Sequence, residues 1–331
     1  MSKTESGDTE AGTGKGYRGG KMEMSEKKAF RYYKNAVERH WNPWEIDLEQ
    51  DRENMLDTYG QIEDDEVREQ ITTVIRKLLA MFGAGEASVT EDIAPLAIAF
   101  DDVEDEMFIS SHMYEEAKHL SFFDRYWDEV INPLEREAGM EVSSPNDDRW
   151  FCDGYEKLFD AEEEAMHTLL TDDTPENRVR AYCTYQLTAE GIIAQTGYWG
   201  ITRNFKDGAG TEVELSGERF EIPELPGLVE GINGIRSDEG RHIGFGMYKV
   251  KQHIMEGDVD ADFVENRVEE LLPYTIEIVN YAYEGLDDTT VFPVGPGDAA
   301  EYTRRKHMDR MGQITEDEGD IPELEELTTV E

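Results

Sequence analysis

Apolar residues recur along most of the chain at the spacing of an α-helix. After Asp64 the apolar positions fall three or four residues apart, which predicts an amphipathic helix, at Ile71, Val74, Ile75, Leu78, Leu79 and Phe82. Comparable stretches predict further helices over about 103–132, 150–170, 175–205, 225–255 and 261–284. The pattern therefore predicts an all-α fold.

Three short stretches depart from the helical pattern. Residues 211–222 alternate apolar and polar positions on both sides of a Ser-Gly pair, which predicts a small β-hairpin inserted between two helices. Residues 1–25 are almost free of apolar side chains, and residues 313–331 are acidic and lack aromatic side chains. Both are expected to be disordered, so the predicted folded domain spans residues 26–312.

Two of the predicted helices carry the motif Glu-x-x-His. It occurs as Glu116 with His119 and as Glu239 with His242. Residues three apart on a helix lie on one face, with Cβ atoms roughly 5–6 Å apart. A carboxylate and an imidazole placed in this way can bind one metal ion between them, so both pairs are candidate metal ligands.

A single glutamate in apolar surroundings precedes each motif. Glu86 ends an apolar stripe, and Glu190 lies among Leu187, Ile192 and Ile193. An ionised carboxylate without a partner costs several kcal/mol to bury. For Glu190 alone, an arginine on another helix would serve as well as a metal ion. The repeated order of Glu followed by Glu-x-x-His favours metal, because this is the ligand set of four-helix di-iron or di-manganese proteins.

A third match to the motif, Glu164 with His167, lies in an acidic run. Glu162, Glu163 and Glu164 are consecutive and are most simply interpreted as a solvent-exposed helix face. A motif this short arises readily by chance in an acid-rich chain. We therefore predict that His167 does not bind metal.

The chain is strongly acidic. It has 76 Asp and Glu residues against 32 Lys and Arg residues, a formal net charge of −44. This excludes general nucleic-acid binding, because little basic charge is available to neutralise phosphates. Self-repulsion on this scale destabilises a compact fold at low salt, whereas at about 1 M salt the Debye length falls to roughly 3 Å. The composition favours a halophile with a salt-rich cytosol over a functional acidic patch.

The remaining composition indicates a cytoplasmic protein without a membrane span. No apolar run is long enough for a transmembrane helix, and the N-terminus lacks the apolar core of a signal peptide. Cys152 and Cys183 are too few for a disulfide framework and lack metal-ligand spacing, which favours a reducing compartment. The absence of thiolate ligands argues against structural zinc, whereas carboxylates with imidazoles favour iron and manganese.

From about Trp41 to Ile254, the chain with these motifs resembles the small-subunit superfamily of ribonucleotide reductases. The resemblance implies a ferritin-like four-helix bundle core with additional helices. Asp238, which precedes Glu239, and Trp44 also resemble the pair that supports the metal ligands in that superfamily.

Within that superfamily, the chain departs from the subunits that store a tyrosyl radical. Those subunits have a tyrosine four residues after the first-motif histidine, where this chain has Phe123. Tyr126 is the nearest substitute, but it lies two turns from His119. Those subunits also dock on a large subunit through a tail with an aromatic residue, whereas residues 316–331 contain none.

The branch that fits is the ligand-binding oxidases, which have a mixed manganese–iron centre. The features that resemble this branch are Val89, three residues after Glu86, and Tyr185, five residues before Glu190. The resemblance implies an ether cross-link between Val89 and Tyr185, and a long-chain fatty acid in a pocket at the metals. Helical periodicity does not place Tyr185 at the metals, because five residues advance a regular helix by about 140° beyond one turn.

The resemblance also implies how the ligands divide between the metals. One metal, manganese, would bind to Glu86, Glu116 and His119. The other metal, iron, would bind to Glu190, Glu239 and His242, with some glutamates bridging. A di-iron centre is the alternative.

The predicted function is a homodimeric oxidoreductase that activates O2 and carries out a two-electron oxidation of a C–H bond. One alternative is the radical-generating small subunit of a ribonucleotide reductase, which requires a large partner subunit. Another is a ferritin-type storage protein, which would load iron far beyond two ions per chain. The sequence does not predict the physiological substrate.

Overall fold

The computed structural model of the chain describes residues 27–100, 102–286, 291–315 and 321–329. The α-helices, in chain order, are α1 Lys28–Glu38, α2 Glu49–Gln61, α3 Asp65–Asp92, α4 Ala94–Ala99, α5 Val103–Tyr126, α6 Asn132–Glu137, α7 Asp153–Thr168, α8 Pro175–Tyr182, α9 Gln195–Thr202, α10 Pro226–Glu256, α11 Ala261–Ala282, α12 Pro296–Thr315 and α13 Leu324–Leu327. The strands are β1 Glu212–Leu215 and β2 Glu218–Glu221, paired antiparallel.

These elements confirm the predicted all-α fold with one small inserted hairpin. None of the helices in the described ranges is both long and apolar enough to cross a bilayer. The prediction of disorder for residues 1–25 lies outside the described residues.

Helix α3 begins where the sequence predicts. Asp64 Oδ1 accepts hydrogen bonds from the backbone N–H of Glu66 at 2.8 Å and of Val67 at 3.4 Å. This N-cap satisfies two N–H groups that lack partners within the helix. The helix continues to Asp92, so the buried Glu86 lies well inside it.

The predicted helix at 175–205 is one continuous helical run whose pitch changes. Helix α8 passes directly into a π-helical segment, Cys183–Ala194, which is followed by α9 and a π-helical turn, Arg203–Asp207. A π-helix has hydrogen bonds between residues five apart, so such residues lie nearly above one another. The local pitch therefore places Tyr185 and Glu190 on one face, although a regular α-helix would separate them.

The hairpin packs on the outside of the fold. Its turn residues, Ser216 and Gly217, have φ angles of 51° and 91°, as the type I′ turn requires at both central positions. Thr58 Oγ1 donates to the Glu221 carbonyl oxygen at 3.1 Å, and Gln61 Oε1 accepts from the Glu221 N–H at 2.8 Å. The hairpin is therefore anchored on α2.

Four helical segments surround a buried polar centre: α3, α5, the π-helical segment and α10. Helix α3 packs along α5, and α10 packs against both α5 and the π-helical segment. The apolar core forms two clusters, one containing Val89 and Tyr185 and the other containing Phe123 and Tyr198. Apolar side chains of both clusters enclose the polar centre.

The C-terminal residues differ from the prediction. The sequence predicts disorder from residue 313, but α12 continues to Thr315 and α13 packs against α10. A Cβ atom on Gly240 would lie 2.0 Å from the carbonyl oxygen of Leu327. Glycine at this position therefore lets the backbone of residues 321–329 approach α10 closely.

Candidate metal centre

The six predicted metal ligands meet at one buried site. Helices α3, α5 and α10 and the π-helical segment contribute them, as Glu86, Glu116, His119, Glu190, Glu239 and His242. All six side chains are buried. The Glu-x-x-His spacing works as predicted, since both motifs direct a carboxylate and an imidazole to the same centre.

The donor atoms form two groups that share Glu116. In each group, four donor atoms lie within 4.8 Å of one another. The first group consists of Glu86, Glu116, His119 and Glu239. The second group consists of His112, Glu116, Glu190 and His242. Oε2 of Glu239 also lies 3.5 Å from Nδ1 of His242, so both α5 and α10 supply a carboxylate that reaches both groups.

His119 faces the first group through Nδ1. This atom lies 3.4 Å from Glu86 Oε2, 3.5 Å from Glu116 Oε2 and 3.8 Å from Glu239 Oε1. The other ring nitrogen, Nε2, lies 3.0 Å from Asp238 Oδ2. A carboxylate that accepts the Nε2 proton fixes the tautomer and leaves the Nδ1 lone pair free for a metal.

His242 is arranged in the same way at the second group. Its Nε2 lies 2.9 Å from Glu115 Oε2. Its Nδ1 lies 3.0 Å from Glu116 Oε1 and 3.4 Å from Glu190 Oε1. Each motif histidine therefore has one nitrogen held by a carboxylate and one directed at the glutamates.

A buried ion-pair network supports the two orienting carboxylates. Arg241 pairs with both Asp238 and Glu115, and Lys118 Nζ lies 2.6 Å from Asp238 Oδ2. Burial raises the pKa of Asp238. The hydrogen bond to His119 and the charges of Arg241 and Lys118 outweigh this effect and hold that pKa well below its ordinary value. Asp238 therefore stays ionised and can accept the imidazole proton.

The supporting tryptophan is Trp41, and the prediction of Trp44 is wrong. Trp41 Nε1 donates to Asp238 Oδ2 at 2.8 Å, and its ring stacks on His119 with the ring centroids 6.3 Å apart. Trp44 is 64% exposed and lies in the 3₁₀ turn Pro43–Glu45. Both tryptophans belong to the same aromatic stretch, and the sequence alone does not show which one turns inward.

Unpaired donor atoms in the centre fit metal ions. Nδ1 of His119 and of His242, and Oε2 of Glu190 and of Glu239, are buried and have no hydrogen-bond partner among the described residues. Buried polar atoms are normally paired, so lone pairs that converge without donors require cations. Carboxylate and imidazole donors suit iron and manganese, and the residues present fit a pair of such ions.

The electrostatics of the centre also favour cations. Burial lowers the pKa of His119 and of His242, but the surrounding carboxylates outweigh it and raise both values well above the ordinary one. Burial raises the pKa of Glu86 to about 7. Burial and the nearby charge of Glu190 raise that of Glu239 well above its ordinary value. Without metal, the site therefore retains protons where divalent cations would compensate the same negative charge.

Besides Glu115, the sequence prediction lacks two side chains that contact the glutamates of the centre. His112 Nε2 lies 2.9 Å from Glu116 Oε1 and 3.2 Å from Glu190 Oε1. Its position four residues before Glu116, on the same helix face, is the signal that could have found it. Tyr198 Oη donates to Glu86 Oε1 at 3.1 Å. The change of pitch between Glu190 and Tyr198 conceals the second contact from periodicity.

Tyr185 and Val89 both lie at the centre. Tyr185 Oη donates to Glu116 Oε1 at 2.8 Å and lies 2.8 Å from His112 Nε2. Val89 is buried and lines the same cavity as Tyr185 and the four glutamates. The cavity has a volume of about 110 Å³, and most of its other lining is apolar, including Leu78, Met81, Phe82, Ile193, Ile201 and Ile278.

The third Glu-x-x-His match lies on α7, away from this centre. Glu163 and Glu164 are exposed as predicted, and the His167 side chain is 48% exposed and pairs with Asp92 at 3.1 Å. The prediction of a solvent-exposed face is wrong for Glu162, which is fully buried. Both of its carboxylate oxygens lack a hydrogen-bond partner among the described residues, and burial raises its pKa to about 8.

No family model matches the chain, but solved structures of R2-like ligand-binding oxidase variants are similar to it. One structure, with an aerobically reconstituted Mn/Fe cofactor, is 28% identical with a TM-score of 0.71, over 88% of this chain and 94% of that one. Another, with an anaerobically reconstituted Mn/Fe cofactor, has a TM-score of 0.69 at the same identity and coverage.

This similarity confirms the predicted ferritin-like helical fold. It also bears out the predictions of an oxidoreductase and of manganese and iron, because those proteins are named oxidases and carry that cofactor. The described residues supply the buried Glu and His donors that such a cofactor needs. Over 88% of its length, the chain is similar to R2-like ligand-binding oxidases with a Mn/Fe cofactor.

Proposed function

We propose that the protein is a manganese–iron oxidase that uses O2 to remove two electrons from a C–H bond. The observation that carries this proposal is the pair of buried donor groups that share Glu116 beside an apolar cavity. The similarity to oxidases with a Mn/Fe cofactor supports it. The six predicted ligands would hold the two ions, and the carboxylates of Glu116 and Glu239 lie near donor atoms of both groups.

The chain's own residues prepare this site. When bound, the metal pair supplies the redox chemistry that passes electrons from a C–H bond to O2. Asp238 and Glu115 hold the outer nitrogens of His119 and His242, so that both imidazoles keep the tautomer that a metal requires. The apolar side chains around the glutamates keep water out and orient an apolar ligand.

A long-chain fatty acid has the chemistry that this cavity would take. Its alkyl chain would pack against side chains such as Met81, Phe82 and Ile201, which line the cavity. Its carboxylate would complement the positive charge of the metal ions. Mass spectrometry of lipids extracted from the purified protein would identify such a ligand.

Val89 and Tyr185, the two residues of the proposed ether cross-link, both line the cavity. In this reaction a C–H bond of Val89 and the O–H bond of Tyr185 break, and a C–O bond forms. Two protons and two electrons leave, and O2 accepts the electrons. The Tyr185 hydroxyl already donates to Glu116 Oε1 at 2.8 Å, so this carboxylate oxygen is placed to receive the phenolic proton.

The cross-link provides the test of the proposed function. Protein loaded with Mn2+ and Fe2+ under anaerobic conditions is exposed to air, and its intact mass and peptide map are compared before and after. We expect the mass to fall by about 2 Da, because two hydrogens leave in the two-electron oxidation, and a linked peptide pair containing Val89 and Tyr185. Tyr185→Phe should prevent the link while both metals stay bound. Unmodified residues together with a stable tyrosyl radical would overturn the proposal.

One observation favours the small subunit of a ribonucleotide reductase as a second candidate. Although Phe123 occupies the position of the radical tyrosine and stacks on Phe82 at 5.4 Å, Tyr198 contacts the Glu86 carboxylate directly. A tyrosine so close to the metals could store a radical. This candidate predicts an electron paramagnetic resonance signal of a tyrosyl radical that is lost in Tyr198→Phe.

The homodimer, the halophilic source and the cytoplasmic location are further parts of the proposal. The homodimer rests on the family resemblance, and analytical ultracentrifugation at high salt would test it. The halophilic source rests on the net charge of −44, and the cytoplasmic location rests on the two cysteines that form no disulfide.

A further inference from the structure

His112 lies fully buried on α5, one turn before Glu116. Its Nε2 is surrounded by Glu116 Oε1 at 2.9 Å, Glu190 Oε1 at 3.2 Å and Tyr185 Oη at 2.8 Å. An imidazole N–H donates in one direction, so it can serve one of these oxygens at a time. The same two carboxylate oxygens also face Nδ1 of His242. Two nitrogens and two oxygens thus converge from α5, the π-helical segment and α10.

The spacing of these four atoms is that of neighbouring ligands of one ion. In zinc sites, bonds to imidazole nitrogen and carboxylate oxygen are about 2.0–2.2 Å long, so adjacent ligands lie roughly 2.9–3.5 Å apart. Nε2 of His112 lies 2.9 and 3.2 Å from the two carboxylate oxygens, and Nδ1 of His242 lies 3.0 and 3.4 Å from them. All four separations fall in this range.

The rings of His112 and His242 are direct neighbours at this group, with centroids 3.4 Å apart and an interplanar angle of 21°. An imidazole binds a metal ion through a lone pair in the plane of its ring, so one of the two rings has to tilt when both bind the same ion.

We propose that His112 is a third imidazole ligand of the metal centre, bound through Nε2 to the ion held by Glu190 and His242. The proposal rests on the proposed function, because it requires the two-metal centre. It gives this group two nitrogen and two carboxylate donors, against one nitrogen and three carboxylates in the first group. Imidazole suits iron, whereas carboxylates suit manganese, so His112 directs iron to its own group and manganese to the other.

His112 would bind its metal ion less strongly than the two motif histidines bind theirs. The outer nitrogen of each motif histidine is bonded to a carboxylate. Nδ1 of His112, in contrast, has no hydrogen-bond partner among the described residues. An outer partner orients an imidazole and strengthens its metal bond, so removal of His112 weakens binding of this ion without abolishing it.

Proton NMR of the full-length protein loaded with Co2+ alone counts the imidazole ligands directly. An imidazole N–H on a ring bound to paramagnetic Co2+ is strongly shifted, and its signal disappears when H2O is replaced by D2O. His112, His119 and His242 each keep one N–H when bound. We expect two Co2+ ions per chain and three such signals, which fall to two in His112→Ala and in His112→Gln. His167→Ala, on the exposed face of α7, should keep all three.

The outcomes separate this proposal from the proposed function. Two bound Co2+ ions with only two shifted N–H signals in the unsubstituted protein would overturn the role of His112 and leave the two-metal centre standing. Three signals retained in His112→Gln would also overturn it. Fewer than two ions in the unsubstituted protein would overturn both proposals. If neither His112 variant folds, the count in the unsubstituted protein decides.

Discussion

The same Glu-x-x-His motif occurs in two kinds of surroundings in this chain. On α5 and α10 the motif is buried, its imidazole is held from outside by a carboxylate, and other glutamates converge on it. On α7 the motif is exposed, and His167 pairs with Asp92 and Glu163 at the surface. Spacing alone makes the carboxylate and imidazole neighbours in both cases.

The two kinds of surroundings differ in whether water can hydrate the carboxylates. Exposed carboxylates are hydrated and screened, so they need no cation and hold one weakly. Buried carboxylates without donors carry a large desolvation cost, which a metal ion offsets. The motif therefore indicates a metal site only where the surrounding helix faces are apolar.

Among the variants that distinguish the buried motifs from the exposed one, removal of a buried ligand should change the metal content most. Glu190→Ala should abolish full occupancy of two metals per chain, because the second donor group loses a carboxylate. Glu164→Ala and His167→Ala should leave the metal content unchanged. Elemental analysis of the three purified variants measures the effect, and loss of metal from His167→Ala would refute the assignment.

Salt should act strongly on the exposed acids and little on the buried ones. With a net charge of −44, the fold should gain several kcal/mol of stability between low and molar potassium chloride, because screening shortens the range of repulsion. Thermal unfolding over that range measures the gain. A melting temperature that does not change with salt would show that the acidity serves another purpose.

In the acidic run on α7, Glu162 is buried, whereas the next two residues, Glu163 and Glu164, are exposed. Burial raises the pKa of Glu162 to about 8, so from roughly pH 4.5 to 8 the folded chain holds a proton that the unfolded chain has released. Stability therefore falls as pH rises through this window. Glu162→Gln should remove the fall and stabilise the metal-free protein at pH 8 by roughly 4 kcal/mol.

Chemical denaturation at several pH values measures this difference. Glu163→Gln is the matched control, because its side chain is exposed and should leave the pH profile unchanged. Parallel profiles for Glu162→Gln and the unsubstituted protein would show that Glu162 is ionised in the folded state.

The smallest expected effect is on metal affinity, when the aspartate that pairs with His119 or with His167 is replaced. Asp238→Asn should weaken metal affinity roughly 10- to 100-fold, since the carboxylate that orients His119 is lost. Asp92→Asn removes the equivalent partner of His167 and should not change the affinity. Equal affinities in the two variants, measured by titration calorimetry, would show that Asp238 does not orient a metal ligand.

The fold and the convergence of the six candidate ligands could be predicted because both follow from helical periodicity. Apolar spacing marks the helices, and Glu-x-x-His places two ligands on one helix face whatever the rest of the chain does. Glu86 and Glu190 were recognisable because an acidic residue among apolar neighbours is costly to bury.

The remaining features depend on contacts that periodicity does not specify, including the position of Tyr185, which only the family resemblance predicted. Trp41 and Trp44 differ only in which way the chain turns before α2. Tyr185 reaches Glu116 because the helix has π pitch there, and Tyr198 follows that change of pitch. Glu162 is buried by the helices packed on α7, although its neighbours in sequence are exposed.

Anomalous X-ray diffraction at the manganese and iron absorption edges would locate both metals in crystals loaded with the two ions. We expect two ions per chain, manganese in the group with Glu86 and His119 and iron in the group with Glu190 and His242. We also expect no metal beside His167. A single ion in the buried centre, or a manganese or iron peak beside His167 instead, would refute the two-metal centre.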